Sequence, residues 1–151
     1  MYYVKEVARD VAVTSGLTQV ITLAVSAAAN NTLLIAATAG ATGTTTTITG
    51  ITDSQGNTYE LAISRTSASM PFIIAKSTLA AALGPGDTIT LTYGNSVDEK
   101  LACMHEFGLM TNRTVNRTTI IRSTTTTNPS SSATATTTQT DELLFSTVST
   151  D

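Results

Sequence analysis

Gly84-Pro85-Gly86-Asp87-Thr88-Ile89-Thr90-Leu91-Thr92-Tyr93 is a turn followed by six alternating residues. Gly and Pro punctuate regular structure, and Asp closes such turns with its own side chain. After the turn, threonine alternates with Ile89, Leu91 and Tyr93. A period of two puts the apolar side chains on one face of a strand and the hydroxyls on the other. The stretch predicts a half-buried β-strand entered from a tight turn.

The same pattern extends in both directions. Upstream it predicts strands at 18–25 (TQVITLAV), 31–39, 45–52 (TTTITGIT), 58–64 (TYELAIS) and 72–76 (FIIAK). Downstream it predicts 101–110, 118–123 and 142–149 (ELLFSTVS), with an edge strand at 133–138 after a loop at 124–132 that contains Asn128-Pro129. Leu33-Leu34-Ile35-Ala36-Ala37 breaks the alternation, as a strand buried on both faces does. Asp53-Ser54-Gln55-Gly56-Asn57 reads as the turn of a hairpin. Residues 95–100 read as a polar loop, and 77–83 is the one place where a single helical turn fits. Many short strands separated by turns predict an all-β fold: a two-layer antiparallel β-sandwich, jelly-roll or Ig-like, with little or no helix. Residues 1–10 are expected as an N-terminal arm and 11–151 as a single domain. The expected core includes Leu33, Ile35, Ile48, Ile63, Ile73, Ile89, Leu91, Cys103 and Phe107.

Composition supports the class and narrows the function. Thirty-three of 151 residues are threonine, whose branched β-carbon suits a pleated surface. Charged residues make up 13%, about half the usual ~25%, so the surface is built from hydroxyls and amides. A net charge of −3 argues against nucleic acid. One cysteine excludes an internal disulfide framework. No run reaches the ~18 apolar residues of a membrane span, and no secretory leader is visible at Met1-Tyr2-Tyr3-Val4-Lys5-Glu6.

Four stretches carry a resemblance: N-T-L-L-I-A-A-T-A (31–39), I-T-G-I-T-D-S-Q-G-N-T-Y-E-L (48–61), G-D-T-I-T-L-T-Y (86–93) and M-H-E-F-G-L (104–109). Together they resemble a β-sandwich domain recurrent in tailed-bacteriophage structural proteins and in some bacterial surface proteins. The resemblance covers about residues 15–150, and residues 51–59 are its strongest piece. It implies a sandwich fold and a virion or surface setting, and it brings no catalytic residues. In such domains further strands follow one like ELLFSTVST.

The residues that could carry chemistry are few. Cys103 and His105 share one strand face, but no third group nearby would orient a dyad. That face, with Leu101, Phe107 and Leu109, is expected at the sandwich interior or its margin. Glu106 points the other way and, by the same resemblance, is expected to bond a neighbouring strand or loop. Asp53, Asp87, Asp98 and Glu99 lie in or beside turns, yet lack the D-x-D-x-D-G spacing of a calcium loop. The N-x-T triplets at Asn30, Asn112 and Asn116 are expected by chance at this threonine content. With no tryptophan and four tyrosines, sugar stacking is weakly provided for. No catalytic, metal or cofactor residues are assigned, and the chain is read as not an enzyme.

Partner contact is assigned instead to Tyr2, Tyr3 and Val4 in the arm, which would add a strand to a neighbour's sheet, or else form the first strand of their own. Arg113, Arg117 and Arg122 form the only basic cluster and join the candidate contacts. The expectation is a bacteriophage virion structural protein, a capsid decoration or tail-associated subunit made in the host cytoplasm. It would act by protein–protein contact with other virion proteins, as a homo-oligomer such as a trimer, with neither nucleic acid nor membrane as partner. The alternative is an adhesin or carbohydrate-binding module on a phage tail or cell surface, with a glycan as ligand.

Overall fold

Ile89, Leu91 and Tyr93 point inward and are buried, while Thr88, Thr90 and Thr92 between them are half-buried. A computed structural model of the protein describes residues 2–40, 45–65 and 70–108. Eight strands lie within them: β1 (Tyr2–Ala12), β2 (Gly16–Thr22), β3 (Thr32–Gly40), β4 (Ile48–Asp53), β5 (Glu60–Arg65), β6 (Phe72–Thr78), β7 (Thr88–Val97) and β8 (Glu99–Gly108). The strands expected at 118–123, 133–138 and 142–149 lie outside the described residues.

One sheet has the order β1-β8-β3-β6-β5 and the other β2-β7-β4. Every pairing is antiparallel. No helix is present among the described residues, and the fold is all-β, as the alternation required. β1 pairs with β8, β2 with β7 and β3 with β6. These pairs lie one inside the next along the chain, an antiparallel ribbon that passes between the two sheets of a β-sandwich.

The ribbon stays paired where it turns from one sheet to the other. Leu23 donates to Asp87 O at 2.9 Å, and Ala27 and Leu83 exchange bonds of 2.8 and 3.0 Å. Asn30 donates to Leu79 O at 2.8 Å, and Leu79 donates to Asn31 O at 3.0 Å. The backbone at 79 and 83 is thereby committed to residues 27–31, and no helical turn forms at 77–83. Leu79 and Leu83 are fully buried at this corner.

Other expectations need correction. Residues 53–57 do not close a hairpin: β4 pairs with β7 and β5 with β6, so the segment crosses between sheets. Residues 95–100 are not a polar loop, since β7 runs to buried Val97 and β8 begins at Glu99, next to buried Lys100. The inward row of β8 is Ala102, Met104 and Glu106, not Leu101, Cys103 and His105. Leu101 is 44% exposed and Cys103 only half-buried.

β3 is buried along both faces, as its unbroken apolar run predicted. Leu33, Ile35, Ile48, Ile73, Ile89 and Leu91 join the core, together with Val7 from β1 and Met104 from β8. Phe107 is buried at 6% exposure, on the row opposite Met104. Ile63 is only half-buried, because a bulge between Leu61 and Ile63 sets it opposite Ile74 on the outer strand of the sheet.

Candidate functional site

Tyr2, Tyr3 and Val4 begin β1, which pairs with β8 from Tyr2↔Gly108 to Ala12↔Lys100. Of the two readings of this segment, the chain itself adopts the second: the first strand of its own sheet. Both tyrosines remain half exposed, at 55% and 54%. The Tyr2 ring lies over Gly108, where an added Cβ would come within 2.6 Å of the ring. Tyr3 packs on Phe107 with ring centres 5.5 Å apart and on His105 at 5.9 Å. At the other end of β1, Val11 and Val13 are exposed, as are Leu17 and Val20 of β2. Val11 stands opposite Leu101, itself exposed. Arg113, Arg117 and Arg122 lie outside the described residues, so the basic cluster is not placed.

Cys103 and His105 are both half-buried on the outer row of β8. Burial pushes the Cys103 thiol above its ordinary value, the opposite of what a nucleophile needs. The charged neighbours on this side are Glu6 and Arg9, which bond each other at 3.2 Å through both carboxylate oxygens.

Two of the turn carboxylates, Asp53 and Asp87, are held by protein donors. Asp53 Oδ1 accepts from the N–H groups of Gln55 and Asn57, at 2.9 and 3.0 Å. Its Oδ2 accepts from Asn57 Nδ2 at 2.9 Å and the Tyr59 hydroxyl at 2.6 Å. Asn57 also exchanges bonds with the backbone of Ala81. Asp87 accepts from Ser54, Gln55 and the N–H of Gly84. These bonds hold the β4–β5 crossing against the β6–β7 corner. Among the described residues no group of three His, Cys, Asp or Glu side chains is placed to hold a metal ion.

Two ends of β8 hold charged groups that alternation could not reveal. Lys100, 2% exposed, donates to Thr14 O under the β1–β2 turn. At the other end Glu106 is 1% exposed, and its Oε1 accepts from the N–H of Ala28 at 2.8 Å and Asn31 Nδ2 at 2.7 Å. Its Oε2 has no hydrogen-bond donor, while Lys5 Nζ stands 3.7 Å away. A further interior network joins β1 to the smaller sheet. Gln19 donates to Asp10 Oδ2 at 2.8 Å and accepts from the Tyr93 hydroxyl at 3.0 Å. Only the inward position of a polar residue between Thr18 and Val20 could have signalled Gln19.

No protein-family model, curated protein or solved structure matches this chain.

Proposed function

We propose that this chain is a structural subunit of a bacteriophage particle, a capsid decoration or tail-associated protein that acts by protein–protein contact. The observation that carries the reading is the set of exposed apolar side chains about the β1–β2 turn, Val11, Val13 and Leu17, with Leu101 opposite Val11, while Tyr2 and Tyr3 are exposed at the other end of β1. Exposed apolar side chains gathered at one place on a fold mark interaction surfaces. A hydroxyl-rich chain with only 13% charged residues and a net charge of −3 adds little electrostatic repulsion between packed copies. The resemblance of residues 31–39, 48–61, 86–93 and 104–109 to phage sandwich domains supplies the setting. On this reading the side chains about the β1–β2 turn seat either a second copy or another virion protein.

Sedimentation velocity of the wild type beside Val11→Lys and Val13→Lys tests the proposal. Both positions are too exposed for the charge to disturb the core. Concentration-dependent association lost in both variants supports it. A wild type that stays monomeric and binds no particle, but is retained by immobilised glycans, would favour the adhesin reading instead.

A further inference from the structure

One end of β8 sets a lysine and an asparagine on either side of a single buried carboxylate. Lys5 stands opposite Glu106 in the β1–β8 pair, between two register shifts that re-aim the strand. Asn31 precedes β3 on the other side of β8, where Thr32 pairs with Phe107. One buried carboxylate therefore touches both neighbours: Oε1 is 2.7 Å from Asn31 Nδ2, and Oε2 is 3.7 Å from Lys5 Nζ. Oε2 has no hydrogen-bond donor of its own, so its lone pairs are free to take a proton.

We propose that Lys5 and Asn31 form an intramolecular isopeptide bond, with Glu106 as the proton carrier. Glu106 takes a proton from the Lys5 ammonium, leaving a neutral amine. Once protonated, Glu106 is a donor, and a half-turn of the Asn31 amide presents Oδ1 to it, which polarises Cγ towards attack. The Nζ–Cγ bond forms and the Cγ–Nδ2 bond breaks. The proton held by Glu106 and the one excess proton of the attacking nitrogen pass to Nδ2, which leaves as ammonium. Glu106 returns to its carboxylate. Lysine ammonium and asparagine amide have become a secondary amide and ammonium, with no change in oxidation state and no co-reactant. A base within reach of the nucleophile and reactants fixed by the fold are the two conditions such a step requires.

The bond would tie β1 to the β2–β3 corner across β8. An edge strand holding one side of the sheet by hydrogen bonds alone would then be held covalently.

Intact mass measurement of the denatured full chain, followed by tandem mass spectrometry of its peptides, tests this. The expected result is a chain lighter than its sequence by one ammonia, with a branched peptide joining residues 5 and 31. Lys5→Arg keeps the positive charge beside Glu106 and should restore the full mass, as should Glu106→Gln. Asn31→Asp loses water in place of ammonia and should reach the same final mass as the wild type. A wild-type chain of full sequence mass overturns the proposal, and the wild-type measurement does not depend on any variant folding. Loss of ammonia confined to an unbranched peptide overturns it equally.

Discussion

The Tyr93 hydroxyl donates to Gln19 Oε1 inside the sandwich, joining β7 to β2 in the smaller sheet. Gln19 in turn donates to Asp10, so a single chain of bonds fixes β1 to β2 and β7. Tyr93 is held well above its ordinary value by burial and by the Asp10 charge, and it stays a neutral donor at any physiological pH. Tyr93→Phe keeps the ring and leaves Gln19 Oε1 buried without a donor. Such an orphaned acceptor costs about 1–3 kcal/mol. Urea unfolding of the variant should show that loss with an unchanged slope.

The inward row of β8 makes a second prediction. Met104 is fully buried and Leu101 is largely exposed. Met104→Ala should cost about 2–5 kcal/mol, the range for truncating a core side chain, and Leu101→Ala less than about 1 kcal/mol. Equal losses would return the strand to the opposite face. Phe107→Ala should cost about 3–5 kcal/mol, since Phe107 is buried although it lies on the outer row.

That face shows where the sequence was readable and where it was not. In 88–93 one alternate row is threonine and the other is apolar, so only one orientation is possible. In 99–108 both rows contain apolar residues, and an apolar tally favours Leu101, Cys103 and Phe107 because the other row includes Lys100 and Glu106. Those two charges are buried with backbone and side-chain partners supplied by residues far away in sequence: Thr14 for Lys100, and Ala28 and Asn31 for Glu106. A buried charge is tolerated only with such partners, and local pattern carries no information about them. The supposed hairpin at 53–57 failed for a related reason. Its turn residues were read correctly, but Asp53 spends its bonds on Asn57 and Tyr59, and Asn57 reaches across to Ala81. The outcome is a crossing between sheets that short-range turn rules do not distinguish from a hairpin.

Asp53 gives the fold a definite response to acid. Burial opposes its ionisation, but the bonds from Tyr59, Asn57 and Gln55 outweigh it and hold the carboxyl below its ordinary 3.8. A carboxylate whose value falls on folding contributes stability that is complete above the unfolded value and is lost as pH drops through the folded one. Stability should therefore decline below about pH 4. Asp53→Asn should flatten part of that decline while lowering stability at neutral pH. Urea midpoints across the acid range check both, and an unchanged acid slope would remove Asp53 from this role.

β1 contributes Val7 to the core as well as the exposed tyrosines. Deleting residues 1–8 should therefore unfold or strongly destabilise the chain, which thermal melting reads directly. Gly108→Ala offers a gentler probe, because its Cβ would displace the half-exposed Tyr2 ring. The fold should survive, and any association that uses Tyr2 should weaken.

The claim that this chain is a subunit of a phage particle is tested most directly by quantitative mass spectrometry of particles purified from the cells that make it. The account predicts the chain in the sedimenting particles at a fixed ratio to their capsid or tail protein, retained through repeated density-gradient separation. Its recovery only in the unassembled fraction, with none bound to purified particles, would contradict the account.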